Sequence, residues 1–243
     1  MKNINRFLEN LVGFLFPKCC VICRKKNDNF LCFKCFKTIN NFRSGTCPNC
    51  GKNTQIGEYC PDCKNKFALT GIMIVGDYKN ENLKTIIKNY KYQFIKNLAY
   101  PLASLLISFL KNNFIPNPVL KNKNKNINLD DYLVTFIPLS QQRERWRGFN
   151  QSELLAKIVS QKLGLKLSSD LKKIKNSTAQ AKLNKNLRQS NLIGNFKWQG
   201  SNLKGQKIII IDDVYTTGST LNEAAKELKK HQAQEIWGLV LAK

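Results

Sequence analysis

Four Cys-x-x-Cys pairs crowd the start of the sequence: Cys20/Cys23, Cys32/Cys35, Cys47/Cys50 and Cys60/Cys63. A pair at this spacing can turn two thiolates toward one metal ion, and two pairs complete the all-sulfur tetrahedron that zinc favours. Eight such ligands predict two structural Zn²⁺. All nine cysteines lie before residue 64, so the device is local. Stable disulfides need an oxidising compartment, and four evenly spaced pairs fit redox couples poorly. Sequential pairing (first with second, third with fourth) makes two tandem ribbons and is the expectation; a cross-brace is the rival. Gly51 marks a tight turn after the third pair, and Cys19 is a spectator beside a ligand.

A second chemistry lies near the other end. Ile208-Ile-Ile-Ile-Asp212-Asp213-Val-Tyr-Thr216-Thr217-Gly218-Ser219-Thr220 reads as a buried strand that delivers two adjacent carboxylates to its carboxyl end, then a tight loop opening into a helix. Backbone N–H groups at such a helix start form an anion cradle, to which hydroxyls add donors. Gly218 lets the backbone approach a phosphate without a Cβ. No Gly-Lys-Ser/Thr follows, so this is not a Walker loop. The two carboxylates would repel a phosphate unless they face something else, and sugar hydroxyls or a bound Mg²⁺ meet that need. A third group follows Pro138-Leu139-Ser140: Arg143, Arg145 and Arg147, in a chain that otherwise uses lysine. Guanidinium forks suit phosphates bidentately; a solvated basic loop is the plainer reading. Asn150 and Gln151 then lead into a helix, a second possible anion site.

The elements that must hold these residues read as an alternating α/β chain. Strands are expected at Gly71–Tyr78, Tyr132–Pro138, Gly194–Trp198, from Lys207 and at Glu235–Leu241. Leu83, Ile86, Ile87, Tyr90 and Phe94 recur at helical spacing, and a second helix begins near Pro101. Further helices are expected over Gln151–Leu163 and after the phosphate loop, with Leu221, Ala224, Ala225 and Leu228 inward. The continuous apolar run of residues 207–211 suits a central parallel strand covered on both faces. Alternation of this kind predicts an open, mostly parallel sheet flanked by helices, with ligands at the carboxyl ends of its strands. Residues 115–130 form a polar Lys/Asn-rich loop, and 172–190 lack periodicity.

Composition sets outer limits. With 243 residues, 42% hydrophobic and 10% aromatic, a real core can form and global disorder is excluded. Mean hydropathy is −0.35 and no run is long enough for a membrane span. The run Phe7–Phe16 is broken by Glu9 and Asn10, so residues 1–18 read as a short amphipathic helix rather than a signal peptide, and the expected compartment is the cytoplasm. The formal charge is +24 and the pI about 9.8. That charge implies an anionic partner, although a lysine and asparagine surplus spread along the chain is also what an AT-rich coding sequence writes into tolerant surface positions. In the cysteine-rich part Lys25, Lys26, Lys34, Lys37, Arg43, Lys52, Lys64 and Lys66, with Phe30, Phe33, Phe36 and Tyr59, could bind single-stranded DNA by charge and stacking. A structural module that docks on the main domain or on another protein is the alternative.

The strand–loop–helix stretch resembles the signature of type I phosphoribosyltransferases. By that resemblance Asp212 and Asp213 hold the ribose hydroxyls of phosphoribosyl pyrophosphate (PRPP), and Thr216, Thr217, Gly218, Ser219 and Thr220 its 5′-phosphate. Pro138, Leu139 and the three arginines then face the pyrophosphate, with Mg²⁺ accompanying it. The cysteine pairs, Ile87-Lys-Asn-Tyr-Lys-Tyr92, the Pro-Leu-Ser…Arg-x-Arg-x-Arg-Gly-Phe-Asn-Gln run, and Thr178, Gln180, Leu183, Arg188, Asn191 and Phe196 are together similar to the ComF family of competence-associated proteins. Where relatives have Thr-Pro-x-Gln, this chain has Thr178-Ala179-Gln180. The resemblance implies three parts: a helix over 1–18, a double zinc ribbon over 19–68 and a phosphoribosyltransferase-like domain over 69–243. It implies a PRPP-binding protein acting in DNA uptake or processing alongside DNA-uptake proteins. A working transferase that moves phosphoribose between pyrophosphate and an amine or base is one alternative, and a zinc-ribbon scaffold with a vestigial pocket is another. Acceptor specificity is expected in a hood formed by residues 71–112.

Overall fold

The computed structural model describes residues 18–27, 29–39, 45–114, 129–174 and 194–243. Nearly all of the segment expected to form an N-terminal helix, most of the Lys/Asn-rich stretch, Arg43, and the stretch holding Thr178 to Asn191 lie outside them. Two short helices belong to the cysteine-rich part, α1 (Phe33–Lys37) and α2 (Pro61–Lys64). The rest runs β1 (Gly71–Gly76), α3 (Glu81–Tyr92), α4 (Ala99–Phe114), β2 (Tyr132–Phe136), α5 (Gln141–Arg147), α6 (Gln151–Leu163) and β3 (Lys166–Leu167). It continues with β4 (Leu171–Lys173), β5 (Phe196–Trp198), β6 (Lys207–Val214), α7 (Ser219–Lys230) and β7 (Glu235–Ala242). Among the described residues no helix is long and apolar enough to cross a membrane.

Five strands form one parallel sheet in the order β1-β7-β6-β2-β3. β6 lies at its centre, and its residues Ile208 to Ile211 are buried, as a two-sided parallel strand requires. Strand alternation sorts side chains onto two cores. Ile209, Ile211, Val134, Leu239 and Trp237 face α3, α4 and α6. Ile208, Ile210, Ile72 and Val240 face α7 and the small antiparallel pair β4–β5. Much of the segment expected to form a hood, 71–112, packs in the core: β1 pairs with β7 inside the main sheet, and Leu102, Leu106 and Phe109 of α4 are fully buried. Tyr92, Phe94 and Tyr100 of the same segment are exposed.

The cysteine-rich part is built into this frame. Cys20 and Cys35 pack in the first core, while Cys47, Cys60 and Cys63 pack in the second. Glu58 bridges Gly71 antiparallel at the free edge of β1, and the Ile72 N–H donates to the Gly57 carbonyl at 2.8 Å. A Cβ on Gly57 would sit 2.2 Å from the Ile72 carbonyl oxygen, so this close approach demands glycine. The ribbon thereby covers the edge strand that would otherwise offer unpaired backbone groups.

Candidate functional site

The four pairs close as two quartets, Cys20/Cys23/Cys32/Cys35 and Cys47/Cys50/Cys60/Cys63, with the sulfurs of each within 4.8 Å of one another. This is sequential pairing; the cross-brace is excluded. Cys23 and Cys32 Sγ lie 3.8 Å apart, and Cys50 and Cys60 Sγ 3.5 Å. A tetrahedron with Zn–S bonds of about 2.3 Å has edges of about 3.8 Å, so the quartets are sized for zinc. Asn49 donates to Cys63 Sγ at 3.2 Å, an outer contact that orients a ligand. Thiol ionisation is uneven within each quartet. Burial opposes the Cys20 charge, but backbone N–H groups of Cys32, Cys23 and Ile22 outweigh it and bring the thiol down to about 6. Cys35 is pushed up to about 12, by burial first and then by the sulfurs beside it. Cys47 and Cys60 repeat the contrast. Four crowded sulfurs share full negative charge only around a cation. Gly51 makes its expected turn with φ +77°. Cys19 belongs to neither quartet.

At the carboxyl end of β6 the expected strand–loop–helix is present. Gly218 caps α7 in the left-handed region with φ +75° and has no side chain to cap it, while Thr217 Oγ1 accepts the Ser219 N–H at 3.4 Å. A helix start of this kind attracts anions. Thr217 and Ser219 hydroxyls meet at 2.8 Å on the rim, and Thr216 and Thr217 are exposed. A Cβ on Gly218 would lie 2.5 Å from the buried Tyr215 ring. Tyr215 anchors the loop: its N–H donates to the Ala242 carbonyl at 2.8 Å.

The two carboxylates sit in different surroundings. Asp212 Oδ1 accepts from the Ser152 hydroxyl at 2.9 Å and from the Asp213 N–H at 2.9 Å. Burial, and then the neighbouring Asp213 charge, push Asp212 up to about 7 against the pull of Lys91. Asp213 Oδ1 pairs with Lys91 Nζ at 2.7 Å. The acidic pair is therefore not an open cation site. Among the described residues the groups whose ligand atoms converge closely enough for a metal are the two cysteine quartets.

The arginines lie on a helix and not in a loop. Ser140 caps a helix, α5, with its hydroxyl accepting the Arg143 N–H at 3.4 Å. Helical periodicity places Arg143 and Arg147 on one face and turns Arg145 away. Arg147 donates to Gln151 Oε1 at 3.1 Å, and its guanidinium lies 5.6 Å from the Tyr92 ring centre and 5.8 Å from that of Trp146. Arg143 and Arg145 are exposed. Pro138 and Leu139 lie in the turn ahead of this helix, which Asn150 braces by donating to the Ile137 carbonyl at 3.1 Å while capping α6.

Three site residues went unassigned in the sequence. Lys91 follows Leu83 and Ile87 at four-residue steps, so its phase on α3 already placed it with the buried face. Ser152 is likewise in phase with Ala156 and Val159. Lys173 on β4 loses basicity by burial first and by Arg143 second, against a pull from Asp212, which places it among the site's charges. A strand of three residues offers no periodicity from which to read that.

A model described as phosphoribosyl transferase domain matches residues 150–243, and one described as double zinc ribbon domain matches residues 11–64. The fold and its cysteine quartets thus define a phosphoribosyltransferase-fold chain with a double zinc ribbon, and the zinc is structural. Competence protein F of Haemophilus influenzae is 30% identical over 92% of this chain and 96% of its own length. Competence protein ComFC of Streptococcus pneumoniae is 29% identical over 87% of each chain. DNA utilization protein YhgH of Salmonella typhimurium is 28% identical over 92% of this chain and 96% of its own. This chain belongs to the ComF family.

Proposed function

We propose that the chain binds PRPP at the carboxyl end of β6 and serves DNA uptake or processing. The observation that carries this reading is the start of α7, entered through left-handed Gly218 and rimmed by the Thr217 and Ser219 hydroxyls, beside the Asp212–Asp213 pair. In it the amides of residues 216–220 hold the 5′-phosphate, the two carboxylates take the ribose hydroxyls, and the pyrophosphate extends toward Arg143, on the face of α5 opposite Arg145. Lys173 adds positive charge on that side. Each cysteine quartet holds one Zn²⁺. In this reading the chain divides into an N-terminal segment over 1–18, a ribbon over 19–68 and a domain over 69–243, the last boundary supported by β1 belonging to the same sheet as β6. Mg²⁺ enters as a counter-ion of the pyrophosphate. Titration calorimetry with PRPP and with ribose 5-phosphate tests the assignment. Asp213→Asn is expected to weaken both ligands, whereas Arg143→Ala weakens PRPP by about tenfold and leaves ribose 5-phosphate unchanged. Equal losses from Arg143→Ala remove the pyrophosphate assignment. Pyrophosphate release with an amine or nucleobase marks a transferase; binding without release marks a PRPP-responsive partner in DNA handling.

Single-stranded DNA is the proposed macromolecular partner, with its contact surface moved from the ribbon to the site's own rim. Tyr59 is buried and stacked on Phe67 at 4.1 Å, and Phe30 and Phe36 are packed against the core. Only Phe33 of the four ribbon aromatics remains open, with Lys37 over its ring. Trp146 is 62% exposed and meets Phe94 edge-on at 5.3 Å, with Tyr92 and the Arg147 guanidinium alongside. Rings and guanidinium groups at one edge are the requirements for stacking unpaired bases along a phosphate chain. Trp146→Ala is expected to cost about 1–3 kcal/mol of single-strand affinity in fluorescence anisotropy, and Phe33→Ala much less. Equal losses from both variants return the surface to the ribbon.

A further inference from the structure

Lys91 is an unusual residue to bury. It stands in the last turn of α3, in phase with Leu83 and Ile87, and its side chain is only 18% exposed. A lysine leaves water at a large cost unless its charge is paired. Its partner is Asp213, 12% exposed, at 2.7 Å. The carboxyl end of α3 adds the negative pole of the helix to the same spot. Burial works against the lysine charge, but Asp213 and Asp212 more than offset it and raise its pKa.

This pairing changes what the acidic pair can recruit. Two open carboxylates beside a phosphate cradle need a divalent cation to offset their repulsion of the ligand. Here one is matched by a fixed ammonium, and the other has an oxygen occupied by Ser152 and the Asp213 amide. An ammonium carries three donors, and the Asp213 bond uses one. Resting on the PRPP reading above, we propose that Lys91 takes the place of a divalent cation at the acidic pair, so that the phosphoribosyl ligand binds without Mg²⁺ bridging it to Asp212 and Asp213. Mg²⁺ then associates with the pyrophosphate alone and is dispensable for binding.

The test uses the full zinc-loaded chain and titration calorimetry with PRPP. One buffer contains Mg²⁺; the other is freed of divalent ions on chelating resin, because a dissolved chelator would strip the ribbon. The parent protein is expected to bind PRPP within about threefold in the two buffers. Lys91→Met keeps the stem and removes the charge. It should lose about ten- to hundredfold in metal-free buffer and regain much of that when Mg²⁺ is supplied. Lys91→Arg, which restores a cation, should stay nearly independent of Mg²⁺. A parent protein that loses tenfold or more without Mg²⁺ overturns the proposal while leaving PRPP binding standing. An equal loss by Lys91→Met in both buffers also overturns it, since the lysine is then only a packing element. Should Lys91→Met fail to fold, the parent and Lys91→Arg titrations still decide. A parent that binds PRPP in neither buffer removes the PRPP reading itself, and this proposal with it.

Discussion

Gly218→Val should lower affinity for ribose 5-phosphate by at least about a hundredfold while the chain stays folded. Two effects act at one atom. The residue sits at φ +75°, where a β-branched side chain is strained by about 1–3 kcal/mol. Its Cβ would also meet the Tyr215 ring at 2.5 Å, and that ring is buried, with its backbone tied to Ala242. The loop must move, and the amides at the start of α7 move with it. Leu221, Ala224, Ala225 and Leu228 still hold the helix on the sheet, so the melting temperature should fall by only a few degrees. Gly218→Ala is expected to be intermediate. Calorimetry and thermal melting on the same samples check both halves; a valine variant that binds like the parent would show that this loop is not the anion cradle.

The largest stability effect is expected from zinc. Removing it, or replacing Cys47 by Ser, should unfold the whole chain and not the ribbon alone. Structural zinc contributes about 10–16 kcal/mol in small zinc-dependent peptides, comparable to the whole stability of a domain. Here Cys47, Cys60 and Cys63 lie in one apolar core with Ile72, Ile210, Leu221 and Val240. Bonds knit the same region to the sheet: Tyr59 N–H to the Thr70 carbonyl, Ala68 N–H to Asn222 Oδ1, and Lys243 Nζ to the Pro48 carbonyl at 2.6 Å. Far-UV circular dichroism during chelation should therefore show one cooperative loss of helix and sheet signal. Retention of a native melt by the part beyond residue 70 would break this expectation. Cys19→Ser should leave a zinc content of about two per chain, because Cys19 is in neither quartet.

These two cases also mark where sequence reading succeeds. The β6–loop–α7 unit was legible because its signals are local and agree: an apolar run, acids at its end, hydroxyl residues and a glycine, then inward residues at helical spacing. The cysteine pairs were legible for the same reason. What stayed hidden depends on distant partners. Nothing near Lys91 names Asp213, and nothing near Ser152 names Asp212; only folding brings them together. The α5 helix escaped because its seven residues are nearly all polar and exposed, with no buried stripe to reveal a period; its stability rests on the Ser140 cap and on Gly148, whose φ of +71° ends it. How closely the ribbon is built into the sheet stayed hidden because glycine contacts such as Gly57 against Ile72 carry no signature in composition.

The position of β1 has a further consequence, for the order of assembly. Its only sheet neighbour among the described strands is β7, and Thr70 meets Ile236 across a separation of 166 residues. Each cysteine quartet, by contrast, closes within a stretch of fewer than twenty residues. During synthesis from the N-terminus the thiols can gather around metal early, while β1 waits for a partner made near the end. Such long-range closure is slow compared with local closure. In the interval the ribbon can shield the other edge of β1, through the Glu58–Gly71 bridge, so that only the edge awaiting β7 stays open. Zinc supply during translation then governs how much nascent chain escapes aggregation, a role for the metal in yield that is separate from its role in the finished fold.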